Sequence, residues 1–246
     1  MNNKISVLKN LSHCIHLKEL FLSGNKIQKI ENLENCRNLT DLHLSDNLIL
    51  KIENLQSCID LEKLFLSGNQ IREIENLESC NNLSVLYLNN NKISCIENLD
   101  QCIHLEILVL SNNLIKKIEN LNRCRNLKTL NLGMNKITVI ENLEVCICLE
   151  MLIIEKNHIS KIENLEACIH LKELIFWNNE IRIIENLFKL KSLNTIFLSS
   201  NPIESIDEKE YLTIFKEWNA ETRKDLIKIA GYDNLIQKLN LEIIDR

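Results

Sequence analysis

Leu105-Glu106-Ile107-Leu108-Val109-Leu110-Ser111-Asn112-Asn113-Leu114-Ile115-Lys116-Lys117-Ile118-Glu119-Asn120-Leu121-Asn122-Arg123-Cys124-Arg125-Asn126 is one 22-residue unit whose pattern recurs along most of the chain. Leu17, Leu39, Leu61, Leu83, Leu105, Leu127, Leu149, Leu171 and Leu193 stand 22 residues apart, with no insertion or deletion between them. Counting each unit from that leucine as position 1, position 9 is Asn in all nine units, from Asn25 to Asn201, and positions 11 and 14 are always Ile. Positions 4 and 6 are Leu apart from Ile154, Phe176 and Ile196, and position 17 is Leu from Leu33 to Leu187. Such a period, sustained over so many units, marks stacked coils in which each unit buries its apolar face only against its neighbours.

Within a unit, positions 1, 4, 6, 9, 11, 14, 17 and 20 form inward ladders. Positions 3 to 7 alternate in the manner of a strand, with 4 and 6 inward and 3, 5 and 7 outward. Nine such strands stacked at about 4.8 Å make a parallel sheet about 40 Å long. An Asn on an inward ladder costs about 1–3 kcal/mol if unpaired. Its amide both donates and accepts, so stacked Asn side chains are expected to satisfy backbone groups of their own coil and the next. Positions 15 and 16 read Glu-Asn from Glu31-Asn32 to Glu185-Asn186, which predicts the start of a short helical turn on the opposite side.

The motif Leu-x-x-Leu-x-Leu-x-x-Asn-x-Ile-x-x-Ile-Glu-Asn-Leu resembles the 22-residue leucine-rich repeat typified by the regulatory subunit of type 1 protein phosphatase, over residues 3 to about 206. The resemblance implies an α/β solenoid: a right-handed superhelix with a parallel concave β-sheet, short helical or 3-10 turns on the convex side, and a helical C-terminal cap. It also implies a non-enzymatic scaffold that holds a protein partner on the concave face, with a Ser/Thr phosphatase catalytic subunit as the most concrete partner. A structural scaffold of a cilium or the cytoskeleton is the alternative, and a secreted adhesin built like an internalin is a further one. The cysteine at position 20 departs from the family, which more often has an aliphatic residue there.

Composition narrows the choice. Only 4 Gly and 1 Pro occur in 246 residues, which leaves little room for long flexible linkers or a turn-rich sandwich. With 29 basic and 34 acidic residues and no basic cluster, nucleic acid is not an expected partner. Met1-Asn2-Asn3-Lys4 leads into no sustained apolar segment and no run approaches membrane-spanning length, so neither an export signal nor a membrane span is expected. Of 10 cysteines, Cys14, Cys36, Cys58, Cys80, Cys102, Cys124, Cys146 and Cys168 form the position-20 ladder, where Leu190 follows; they read as small buried hydrophobes. A cytoplasmic chain is expected, with the nucleus or cilium as alternatives.

No cofactor or metal site is expected. The Cys-x-His pairs Cys14/His16, Cys102/His104 and Cys168/His170 lie several coils apart, about 15–20 Å, too far to share a zinc ion. The Glu ladder reads as a solvated face diluted by Lys29, Lys51, Lys117 and Lys161 rather than a cation site. Cys95 stands off the ladder with no evident base, and no triad, phosphate loop or His-Glu-x-x-His occurs, so no enzyme is expected.

The outward sheet positions are the candidate partner site. Position 5 supplies Phe21, His43, Phe65, Tyr87, Val109, Asn131, Ile153, Ile175 and Phe197; position 3 adds Val85, Ile107 and Met151, and position 7 adds Trp177. Glu19, Asp41, Glu155 and Glu173 supply acidic groups on the same face. Both faces of a solenoid strand cannot be core, so these apolar residues are expected to be solvent-exposed, and a contiguous exposed patch marks an interaction site.

The ends differ from the array. Asn3, Ile5, Leu8, Asn10, Leu11 and Cys14 fit the second half of a unit, making a partial repeat over residues 3–16 at the start of an array spanning 1–206. With no amphipathic cap ahead of it, this end is expected either to continue a longer array or to support self-association. Residues 207–246, with Tyr211, Leu212, Phe215 and Trp218 at helical spacing, are expected to form a helical cap.

Overall fold

The computed structural model describes residues 4–207. Nine three-residue strands, one per unit at positions 3 to 5, form a single parallel sheet: β1 (Glu19–Phe21), β2 (Asp41–His43), β3 (Lys63–Phe65), β4 (Val85–Tyr87), β5 (Ile107–Val109), β6 (Thr129–Asn131), β7 (Met151–Ile153), β8 (Glu173–Ile175) and β10 (Thr195–Phe197). Each pairs in register with the equivalent residues of the next coil, as in Leu64 with Leu86 and Leu86 with Leu108. A second, two-stranded sheet joins β9 (Ile183–Ile184) to β11 (Ser205–Ile206). The proposed cap at 207–246 lies outside the described residues, except for Asp207.

The strands are shorter than the alternation suggests because each chain turns at position 8. All nine residues there have positive φ, from Gly24 (72°) through Met134 (56°) and Lys156 (52°) to Ser200 (58°). Hydrogen bonds between coils nevertheless continue to this point: Leu44 N–H donates to the Phe65 carbonyl at 2.8 Å and Asp46 N–H to that of Ser67 at 2.7 Å.

The inward ladders make one continuous core in which Leu, Ile and Cys side chains are almost all 0% exposed from Ile27 to Ile181. Burying one Leu or Ile stabilises by about 1.5–3 kcal/mol, and each coil contributes seven apolar ladder positions, so this core dominates stability. The Cys ladder lies within it from Cys36 to Cys168, as the substitution by Leu190 suggests. Burial raises the Cys58, Cys102 and Cys146 thiols to about 12 and the Cys80, Cys124 and Cys168 thiols to about 11.

The Asn ladder is satisfied as its chemistry requires. Asn113 Nδ2 donates to the carbonyls of Leu110 in its own coil and Leu88 in the preceding one, both at 3.0 Å, while Oδ1 accepts from Ile93 N–H at 2.9 Å. Asn47, Asn69, Asn135 and Asn157 repeat this arrangement.

The side opposite the sheet corrects the sequence reading: it contains no helix or 3-10 segment among the described residues. Each coil closes through two consecutive turns, for example Cys36 N–H to the Leu33 carbonyl (3.0 Å) and Leu39 N–H to the Cys36 carbonyl (3.2 Å). These bonds do not overlap, so no helix propagates. The Asn of each Glu-Asn pair does not cap a helix. It adopts a left-handed conformation, from Asn32 (61°) to Asn186 (62°), which Asn tolerates better than most residues. Its amide donates to position 14 of the preceding coil, as in Asn54 Nδ2 to the Ile30 carbonyl at 2.7 Å.

The partial repeat stacks as half a coil. Ile5 N–H donates to Asn25 Oδ1 at 3.1 Å, Asn32 Nδ2 donates to the Leu8 carbonyl at 2.6 Å, and Leu8 is buried while Ile5 is 43% exposed. No strand pairs with β1 on its other side among the described residues, and Phe21 there is 64% exposed.

Candidate functional site

In-register pairing turns the outward residues into columns. Position 5 runs Phe21, His43, Phe65, Tyr87, Val109, Asn131, Ile153, Ile175, Phe197, and position 3 runs beside it from Glu19 to Thr195. The first four rings form a continuous stack: Phe21 to His43 at 4.3 Å and 24°, His43 to Phe65 at 4.2 Å and 13°, and Phe65 to Tyr87 at 5.1 Å and 38°. Strand spacing of about 4.8 Å matches the preferred separation of aromatic rings, so the fold imposes the contact.

The expectation of solvent exposure needs correction. Val109 is 8% and Asp41 9% exposed, and His43, Phe65, Tyr87, Ile107, Met151, Ile153, Ile175 and Trp177 are half-buried. Each is flanked by equivalent side chains above and below, which cover its sides and leave its tip open. Of the aromatic residues in the position-5 column only Phe21 and Phe197, in the first and last strands of the long sheet, are largely exposed.

Charge is arranged along the position-3 column. Lys63 Nζ donates to Asp41 Oδ1 at 2.9 Å. Burial alone would raise the Asp41 carboxyl, but bonds from Lys63 and the Thr40 hydroxyl outweigh it and hold the group below its ordinary value. Burial between the two phenyl rings pushes the His43 imidazole below its ordinary value, against the pull of Asp41 and Glu19.

The candidate residues separate into two patches. Phe21, His43, Phe65, Tyr87, Ile107 and Val109, with Val85, Glu19 and Asp41, are brought together by β1–β5. Met151, Ile153, Ile175 and Trp177, with Glu155 and Glu173, gather around β7 and β8, and Phe197 extends this patch on β10. Between them β6 presents Thr129 and Asn131, a polar break; Asn131 Oδ1 accepts from Gly133 N–H at 3.0 Å. In the second patch the Lys156 ammonium lies 4.7 Å from the centroid of the Trp177 ring.

Two features escaped the sequence reading. Gly133 leaves a gap that the Glu155 carboxylate fills, since a Cβ there would lie 2.4–2.5 Å from the carboxylate atoms. A second exposed apolar row lies on the flank at position 21, with Ile15, Ile59, Ile103, Ile147 and Ile169 each 43–53% exposed. Its signal was the recurrence of Ile at this position, alternating with Arg37, Asn81 and Arg125 as far as Ile147 and then repeated at Ile169; Asn38, Asn82 and Asn126 follow the polar residues, and their amides bond the preceding Ile carbonyls at 3.0–3.2 Å. Among the described residues no group of three His, Cys, Asp or Glu side chains is placed to hold a metal ion, and no helix is long and apolar enough to cross a membrane.

Comparison with known proteins agrees with this geometry. The family model for leucine-rich repeats in two copies matches residues 15–57, 37–79, 59–101, 81–123, 103–145 and 169–211, well over half of the chain. The chain is similar to internalin C2 of Listeria monocytogenes (TM-score 0.70, 26% identity, 74% of this chain and 80% of that one). It is also similar in fold to YopM of Yersinia enterocolitica (TM-score 0.71, 24% identity, 83% and 42% of the two chains). A third solved structure, the functional domain of InlJ from Listeria monocytogenes, is described as including a cysteine ladder (TM-score 0.54, 16% identity, 83% and 56%). A search of curated protein sequences finds no match.

Proposed function

Since the chain belongs to the leucine-rich-repeat family, we propose that it is a non-enzymatic scaffold holding a protein partner across the outward, concave face of its sheet. The observation that carries this reading is the continuous ring stack Phe21–His43–Phe65–Tyr87, four aromatic side chains held in register with their tips open. Rings immobilised by their neighbours lose little entropy on binding, which makes them effective anchors.

The partner's surface matches in chemistry. An apolar ridge would lie on Phe65, Tyr87 and Ile107 and, beyond the polar break at β6, on Ile153, Ile175 and Trp177. Basic groups would meet Glu19 at one end and Glu155 and Glu173 at the other. Asp41 and Val109, being buried, support the face rather than anchor the partner. A Ser/Thr phosphatase catalytic subunit is the partner that the repeat class suggests, and a cytoplasmic setting suits the buried thiols. The likeness to internalin C2 favours a second reading, an exported adhesin; because InlJ also has a cysteine ladder, the thiols do not choose between the two.

The test compares capture of a partner from the native cell by the wild type, by the Phe65→Ala/Tyr87→Ala/Trp177→Ala variant, and by a control altered on the opposite side, Lys117→Ala. The partner should be lost only with the triple variant, whose circular dichroism should match the wild type. Retention of the partner by the triple variant refutes the site.

A further inference from the structure

Building on the proposed concave-face partner, we propose that Gly133, Glu155 and Trp177 form a subsite for one basic side chain of that partner, an arginine guanidinium or a lysine ammonium.

These residues occupy position 7 in three consecutive coils, where the other coils carry Ser or Asn. The glycine is not demanded by backbone conformation, because positive φ falls one residue later, at Met134. Its role is to make room. The volume where a side chain at 133 would begin is occupied by the Glu155 carboxylate.

That carboxylate is incompletely satisfied. Among the described residues, Glu155 Oε2 is inaccessible to solvent and has no hydrogen-bond partner, and Glu155 joins no ion pair. A desolvated carboxylate oxygen without a donor is costly, and native structures retain such groups where something else completes them. Burial raises the Glu155 carboxyl above its ordinary value, with its own backbone N–H and the Lys156 charge opposing.

The neighbouring ring already shows what the site attracts. Lys156 places its ammonium 4.7 Å from the centroid of Trp177, a cation–π arrangement on an exposed side chain that is free to move away. A cation arriving from the partner would take this place over the indole, beside the uncompensated charge of the Glu155 carboxylate, which holds it electrostatically. A carboxylate and an aromatic face side by side discriminate a cation from a neutral donor, since both attract positive charge.

The proposal is testable without the partner. The full chain, labelled with 15N at tryptophan, would be titrated with acetyl-arginine-amide while the indole N–H signal of Trp177 is followed, assigned by Trp177→Phe against Trp218. A saturable shift is expected with the arginine probe and none with the neutral isostere acetyl-citrulline-amide. Glu155→Gln, which removes the charge, and Gly133→Ala, which expels the carboxylate from its gap, should each weaken binding about tenfold or more. Circular dichroism would confirm that both variants fold. Equal binding by Glu155→Gln and wild type, an equal response to citrulline, or no response of Trp177 to the arginine probe would overturn the subsite. These outcomes are separate from those of the capture experiment: arginine recognition with partner retention by the triple variant would sink the partner reading while leaving the cation subsite standing.

Discussion

Replacing Asn113 by Ala should destabilise the array by about 2–4 kcal/mol, and the structure indicates where the loss arises. The Asn113 amide donates to the carbonyls of Leu88 and Leu110, and its oxygen accepts from Ile93 N–H. The carbonyls are not abandoned by the substitution: Leu88 still accepts from Asn91 and Leu110 from Asn135, each at 3.0 Å. Ile93 N–H, in contrast, loses its acceptor inside the core, which costs about 1–3 kcal/mol by itself. Lost shared bonds and the vacated volume supply the remainder. At the exposed end of the ladder, Asn25→Ala should cost about 1 kcal/mol or less, because Ile5 N–H is solvent-accessible there and water can replace the amide. Asn113→Asp should be at least as damaging as Asn113→Ala, since it turns a carboxylate oxygen toward two carbonyls. Urea unfolding followed by circular dichroism would measure all three variants. An unchanged midpoint for Asn113→Ala, or equal losses at 25 and 113, would refute the reasoning.

The buried thiols carry a pH dependence. Their folded values near 11–12 exceed the ordinary 9.0, so the stabilisation is fully present below about pH 9 and is lost as pH rises through the folded values. Each thiol contributes at most about 1.4 kcal/mol per pH unit in that window, and alkaline titration by circular dichroism should show steep unfolding. At pH 8 a thiol reagent should modify Cys95 quickly and those six only on unfolding; rapid reaction of the six would contradict their burial. Met134 sits in a left-handed conformation, so Met134→Asn should stabilise by about 0.5–1 kcal/mol in thermal unfolding, and a loss would argue against that backbone geometry.

Much of the fold was legible because each inward position recurs in every coil with little change, so that strand, core and Asn roles could be read from the recurrence. The Asn ladder shows how far this reaches: one buried amide at a fixed position implies its own hydrogen bonds. Glu-Asn misled because Asn suits both a helix start and a left-handed turn, and the left-handed backbone of Asn54, with its bond to Ile30 in the preceding coil, decides between them. Exposure on the outward face was misjudged for a related reason. Val109 is polar-facing by alternation, yet its stacked neighbours bury it. Gly133 and Glu155 are 22 residues apart, and their shared volume exists only when the coils are stacked.

The central claim, that a protein partner lies on the outward sheet face, is tested most directly by site-specific photocrosslinking in the native cell. A benzophenone amino acid would replace Tyr87 in one experiment and Lys117, on the opposite side, in another. A discrete adduct of one protein partner from position 87 and none from 117 is expected. Crosslinking to the partner from 117 but not from 87 would contradict the account.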